Sequence, residues 1–223
     1  MKIVAIMGSP RGMKGNTGAL LAGVIQGCKA AGADVKTLSL AKLKVGPCVG
    51  CEVCHRTGKC FIKDDFERVK KEMLAADAIV MASPNYINSV TAQMKALFDR
   101  CSSPIHCQSF EGHYGAAVVT SGGPGGEEVG EYILRFLRSI GCWSVGSVGA
   151  EARHLVDEKM RPKALAAAAA LGRKLCEAVR DGETYPEQRQ ALEGFRERMK
   201  MLVTTHEKDW PYEYGFWKSM GRL

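Results

Sequence analysis

Gly8-Ser9-Pro10-Arg11-Gly12-Met13-Lys14-Gly15-Asn16-Thr17 follows directly on the apolar run Ile3-Val4-Ala5-Ile6-Met7 and leads into an amphipathic segment over 18–29. A buried strand, a turn rich in glycine and polar side chains, and a helix start form an arrangement suited to a phosphate. Free backbone N–H groups and the positive end of the helix dipole converge there. Ser9, Asn16 and Thr17 add side-chain donors, and Arg11 adds a fixed cation. The stretch lacks the Gly-Lys-Ser/Thr ending of a Walker loop and the Gly-x-Gly-x-x-Gly dinucleotide spacing. It predicts a phosphate-bearing ligand without saying which one.

Working outward, Leu20, Leu21, Val24, Ile25 and Cys28 recur at helical spacing, and Gly32 ends the helix. The alternation over 34–40 predicts a second strand. Asp64 with Glu67 three residues on has the capping-box pattern for a helix reaching about Ala76. Ala78-Ile79-Val80-Met81-Ala82 is apolar enough for the centre of a parallel sheet. The turn Ser83-Pro84-Asn85-Tyr86 and a helix over 90–100 follow. A fourth strand over 115–120 leads into a loop, 121–126, with four glycines and a proline. A helix over 127–140, a strand within 143–149 and a helix over 161–180 complete the pattern. Five alternations predict a doubly wound α/β fold, a five-stranded parallel sheet with right-handed crossovers. Ligands bind such sheets at the carboxyl ends of the strands. The loops holding Ser9–Thr17, Pro84–Tyr86 and 120–126 are therefore expected on one edge.

The chain has 223 residues, with Lys+Arg 31 against Asp+Glu 24 and a net charge of +7. The basic residues are spread along it and form no block interleaved with aromatics, so nucleic acid is not expected as a partner. No apolar run approaches the ~18 residues of a membrane span, and the opening Met1-Lys2-Ile3 runs straight into a strand. A membrane location is not expected either. Nine cysteines in such a chain predict a reducing cytoplasm and thiol or metal chemistry. We divide the chain into an α/β domain over 1–182, with a cysteine-rich loop at 46–60, and a segment over 183–223. The second part reads as a charged helix over 187–201 and an aromatic arm over 210–223, packed on the domain or on a second subunit.

Four stretches together resemble the flavodoxin-like NAD(P)H-dependent FMN reductase superfamily, and within it the iron–sulfur flavoproteins. They are Gly8-Ser9-Pro10-Arg11 with Gly15-Asn16-Thr17; Cys48 to Cys60 with Asp64-Asp65; Ser83-Pro84-Asn85-Tyr86 with Lys95 to Arg100; and Ser121-Gly122-Gly123. The resemblance implies that the phosphate is that of FMN, held by Ser9, Arg11, Asn16 and Thr17. Pro84, Asn85 and Tyr86 would line the isoalloxazine, and backbone N–H groups of Ser121, Gly122 and Gly123 would meet its pyrimidine end. It implies an FMN-dependent oxidoreductase that takes electrons from NAD(P)H or a ferredoxin-like protein, assembled as a homodimer or homotetramer.

Cys48, Cys51, Cys54 and Cys60 place four thiols in one short stretch. That compactness suits a [4Fe–4S] cube, whose irons each take one thiolate. A zinc site usually draws paired knuckles from separate segments. Free or oxidised thiols in a cluster-free reductase and a zinc site are the two alternatives. His55 reads as a solvated loop histidine, with a ligand role as the alternative. Cys28, Cys101, Cys107, Cys142 and Cys176 read as small buried hydrophobes.

Overall fold

The computed structural model describes residues 1–223. Strands β1 (Lys2–Met7), β2 (Asp34–Ser39), β3 (Ala78–Pro84), β4 (Tyr114–Ser121) and β5 (Trp143–Glu151) form one sheet in the order β2-β1-β3-β4-β5. Every pairing is parallel. This is the flavodoxin-like order, whose switch point lies between β1 and β3. The helices are α1 (Asn16–Ala30), α2 (Val53–Thr57), α3 (Phe66–Leu74), α4 (Ala92–Asp99), α5 (Ser102–His106), α6 (Gly126–Ser139), α7 (Ala152–Val156), α8 (Met160–Asp181), α9 (Pro186–Thr205) and α10 (Pro211–Ser219).

The unbroken apolar run of β1 has a physical reason, because both faces of the sheet are covered. Val4 and Ile6 join a core with Phe66, Met94, Ile133 and Leu137, beneath α3, α4 and α6. Ile3, Ala5 and Met7 point to the other face and join Leu20, Val24, Leu171 and Leu175 of α1 and α8. The five scattered cysteines are all buried, as expected. Burial pushes the Cys28, Cys101 and Cys107 thiols up to about 12, which fits inert core residues.

One local expectation fails in part. Asp64 and Glu67 do not make a capping box. Helix α3 begins at Phe66; Asp64 is engaged by Arg100 and Gly46, while Glu67 accepts the backbone N–H of Cys60 at 2.9 Å. Asp64 keeps the cap bond, accepting the Phe66 N–H at 3.0 Å; the box fails because Glu67 turns to the cysteine segment instead of reaching back to the Asp64 N–H. The aromatic arm over 210–223 forms a helix, α10, whose Trp217 is buried with Met199 and Val203 of α9 in a small core of its own. Both C-terminal helices pack on their own chain. Gln188 of α9 pairs its amide with the backbone of Ser144, covering the free edge of β5 at 2.8 and 2.9 Å. Glu111 joins Arg196 at 2.6 Å and also binds Arg222.

Helices α1 and α8 cross where Gly27 and Gly172 let the backbones touch. A Cβ on Gly172 would stand 2.2 Å from the Val24 carbonyl oxygen, and one on Gly27 2.0 Å from that of Ala169. Alanine at Gly172 would gain about 1 kcal/mol of helix propensity, against a clash with rigid backbone worth about 3 kcal/mol. Gly172→Ala is therefore expected to lower the urea stability by about 2 kcal/mol. An unchanged midpoint would show that the two helices can part without cost.

Candidate functional site

The loops after β1, β3 and β4 meet at one end of the sheet, around a cavity of about 170 Å³. Ser9, Arg11, Asn16, Thr17, Pro84, Asn85, Tyr86, Ser121 and Gly122 all line it. Gly123 lines an adjoining, wider cavity of about 760 Å³ that shares Ser121. Helix α1 has no side-chain cap at its start, so its first N–H groups stay free beside the 8–17 loop. Gly18 is required there, because a Cβ on it would meet the Met13 backbone at 2.4 Å. The hydroxyls of Thr17 and Thr120 lie 2.6 Å apart, both buried, and tie the α1 start to the end of β4. Thr120 falls in the third of the expected ligand loops but carried no expected contact; its place with Ser121 as the polar end of an apolar strand was the available signal.

Asn85 donates its amide to the Gly125 carbonyl at 3.4 Å, while its Oδ1 is buried without a partner. Beyond it, Tyr86 and Ser89 exchange backbone hydrogen bonds at 2.8 and 3.1 Å around Ile87 and Asn88. Those two residues are left-handed, with φ of 51° and 58°, the geometry of a tight type I′ turn. Tyr86 is half exposed at the mouth of the cavity. The wider cavity carries three carboxylates, Glu127, Glu128 and Glu151.

The four loop cysteines line a third cavity of about 250 Å³, together with His55 and Arg100. Left-handed turns at Gly50, Glu52 and Gly58 fold the segment back on itself, and the Gly50 N–H donates to Cys48 Sγ at 3.5 Å. Helix α4 leads from the Tyr86 turn to this cavity. Its N-cap Thr91 donates to the Gly8 carbonyl at 2.7 Å, and Arg100 follows its C-terminal end. The Arg100 side chain has no exposed surface; it pairs with Asp64 at 2.5 Å and reaches the carbonyls of Gly46 and Ile62. Its Nε is buried and unpartnered. Burial pushes the Cys54 thiol up to about 11, helped by the negative charge of Glu213.

His55 is buried, which corrects its reading as a solvated loop residue. Its Nδ1 lies 2.6 Å from Glu213, whose other oxygen is 2.9 Å from Nδ1 of His106. The three ligand atoms fall within 4.8 Å of one another. However, the two imidazoles are stacked, 14° from parallel, so their in-plane lone pairs do not converge on one ion. The group is a hydrogen-bonded bridge. Spacing offered no signal for it, since 158 positions separate His55 from Glu213.

The profile of the NADPH-dependent FMN reductase family matches residues 1–154. The chain belongs to this family. Along 99% of its length it is 31% identical to an iron–sulfur flavoprotein of Archaeoglobus fulgidus, covering 99% of that protein. It is 36% identical to an iron–sulfur flavoprotein of Methanosarcina thermophila over 64% of this chain and 72% of the relative. An archaeal flavodoxin shares the fold, with a TM-score of 0.55 at 20% identity over 81% of this chain and 99% of that one. As a member of the FMN reductase family the protein is an FMN-dependent oxidoreductase. No helix is long and apolar enough to cross a membrane.

Asp64 supplies a test of the cysteine segment's anchoring. Burial alone would raise its carboxyl, but the Arg100 guanidinium and the N–H groups of Gly46 and Phe66 outweigh that and hold it below the ordinary carboxylate range. Its folded-state value is thus depressed. Its contribution is complete above the unfolded value and fades as pH falls through the folded one. Asp64→Asn leaves Arg100 buried without its counter-charge and should cost about 3 kcal/mol at pH 7 in urea unfolding. The loss should begin to shrink below about pH 4, where the carboxyl of the unfolded chain protonates, and go on shrinking as pH falls towards the lower folded-state value. An equal loss at pH 7 and pH 3 would remove the ion pair from the account.

Proposed function

We propose that the protein binds FMN at the end of the sheet and a [4Fe–4S] cluster on Cys48, Cys51, Cys54 and Cys60, and passes electrons between a donor and an acceptor through both. The observation that carries this reading is the cavity shared by all four thiols, with a buried arginine in its wall. The donor set fits the cluster: four sulfur ligands in one segment, a buried arginine in the wall with an unpartnered Nε–H, and an N–H already donated to one sulfur. A Cys54 thiol held near 11 is a poor redox-sensing nucleophile. It is a natural metal ligand, since a bound cation drives the deprotonation. The names of the two relatives agree.

The flavin cavity fits FMN in the same way. Ser9, Arg11, Asn16, Thr17 and the free α1 N–H groups hold the phosphate. The unpartnered Oδ1 of Asn85 is an acceptor suited to the one N–H of the flavin pyrimidine. Backbone N–H groups over 121–123 donate to the pyrimidine oxygens and favour negative charge there, while Pro84 and Tyr86 flank the ring. FMN supplies two-electron or one-electron chemistry when bound, and the cluster single-electron chemistry. The chain itself holds, orients and tunes, and we assign no general base.

The net charge of +7 favours an acidic protein electron donor, ferredoxin-like in kind, and the carboxylates of the wider cavity disfavour NAD(P)H there. The phosphates of a nicotinamide nucleotide would face Glu127, Glu128 and Glu151. A homodimer or homotetramer in the reducing cytoplasm is the expected assembly and place.

Anaerobically purified protein should carry about four irons and four sulfides per FMN. Cys51→Ala should lose the iron and keep the flavin; unchanged iron would sink the cluster assignment. Arg11→Ala should weaken FMN binding roughly tenfold to a hundredfold, from the loss of one charge-assisted contact. Reduction by a reduced ferredoxin should outpace NADPH oxidation and slow with added salt. Rapid NADPH turnover with no iron bound would instead favour a cluster-free reductase.

A further inference from the structure

Glu213 lies in α10, far along the chain from either cavity, yet it is the only acidic residue that is fully buried. Both of its oxygens are spent on imidazoles, one on α2 within the cysteine segment and one at the end of α5. Trp210 covers both rings at 4.7 and 5.0 Å, and the Trp217 indole N–H donates to the His106 carbonyl at 3.0 Å. Tyr212 of the same helix lies across Gly58, where a Cβ would come within 2.4 Å of its ring. Gly58 is the left-handed residue, φ 74°, that turns the chain from Cys54 back towards Cys60.

The cysteine segment needs such support. Helix α2 has five residues, too few to be stable alone, and Cys48 and Cys51 are exposed. Arg100 holds the segment near its two ends, through Gly46, Ile62 and Asp64. The turn at Gly58 is tied to α3 by Lys70, which donates to the Gly58 carbonyl at 3.1 Å, and His55 stacks on His106 of α5. The one side-chain hydrogen bond to His55 comes from Glu213 of α10. A loop that must present four thiols to one point loses affinity for every conformation it can otherwise adopt.

We propose that Glu213 is a positioning residue for the iron–sulfur site: by gripping His55 from α10 it fixes α2 and the turn to Cys60, so that the thiols are gathered before the cluster binds. This inference rests on the cluster reading of Cys48, Cys51, Cys54 and Cys60. In this view α10 is part of the site although it supplies no ligand. Its buried charge also stands 2.6 Å from His55, the residue next to Cys54, where it would oppose the uptake of an electron by a bound cluster.

Wild type, Glu213→Ala, Glu213→Gln and His106→Asn would be purified anaerobically with their FMN. Iron and sulfide per FMN, iron release to a chelator, the EPR spectrum of the reduced cluster and its midpoint potential would be compared. Glu213→Ala should release iron at least tenfold faster with FMN content unchanged. Glu213→Gln keeps the shape and one acceptor oxygen. It should hold its iron better than the alanine variant, with an altered EPR spectrum and a raised cluster potential. The asparagine at position 106 can donate where Nδ1 did and should stay near wild type. If the alanine variant fails to fold, the potential and spectrum of Glu213→Gln decide, because a merely architectural contact would move neither. Wild-type release, spectrum and potential in Glu213→Gln would overturn the inference alone. Wild type free of iron and sulfide would refute the cluster reading beneath it.

Discussion

β1 is the strand on which the rest of the structure depends. It is apolar on both faces and paired on both edges, by β2 and β3. A strand so enclosed can release its chain only at its ends. At its carboxyl end the neighbouring crossovers diverge to opposite faces of the sheet. The polar loop 8–17 therefore falls into the one crevice that the topology leaves open. Thr17 then meets Thr120, and Gly8 meets Thr91, across that crevice. The site is built by the sheet, and its residues need only be polar in the right places.

The cysteine segment is organised on a different principle. It has almost no core of its own and is held from outside by charged groups that burial makes strong. Arg100 draws in its ends and Glu213 its middle. Both charges are paired and hydrogen-bonded, as buried charges must be. Helix α4 joins the two regimes, since it starts after the Tyr86–Ser89 turn and ends at Arg100. A short helix of eight residues, about 12 Å long, thus spans from one cavity to the other.

Much of this was legible in the sequence. The strands could be read because a parallel sheet covered on both faces demands unbroken apolar runs, and the loop of Ser9 to Thr17 because phosphate geometry demands glycine and donors at close spacing. Pro84, Asn85 and Ser121 were located by topology once the strands were known. Local pattern misled where a distant partner outbid it. Asp64 has the spacing of a helix cap and caps the Phe66 N–H with one oxygen, but its other oxygen goes to a buried guanidinium that spacing does not announce. His55 looks like a loop residue in water, and Glu213 like one charge among many in a tail. Neither signals the other, because a hydrogen bond between positions 158 residues apart leaves no periodicity.

The sequence by itself determined the fold class, the polarity of the sheet edge and the gathering of four thiols in one segment. Each of these follows from short-range rules: hydrophobic alternation, turn chemistry and ligand spacing. Only the tertiary structure decided that α10 returns to the cysteine segment, that Asn85 keeps an unpartnered acceptor beside the cavity at the sheet edge, and that two histidines share a buried carboxylate. Those outcomes depend on which polar groups are left without water when separate elements close together. That is settled by packing in three dimensions, where neighbours in space are strangers in sequence.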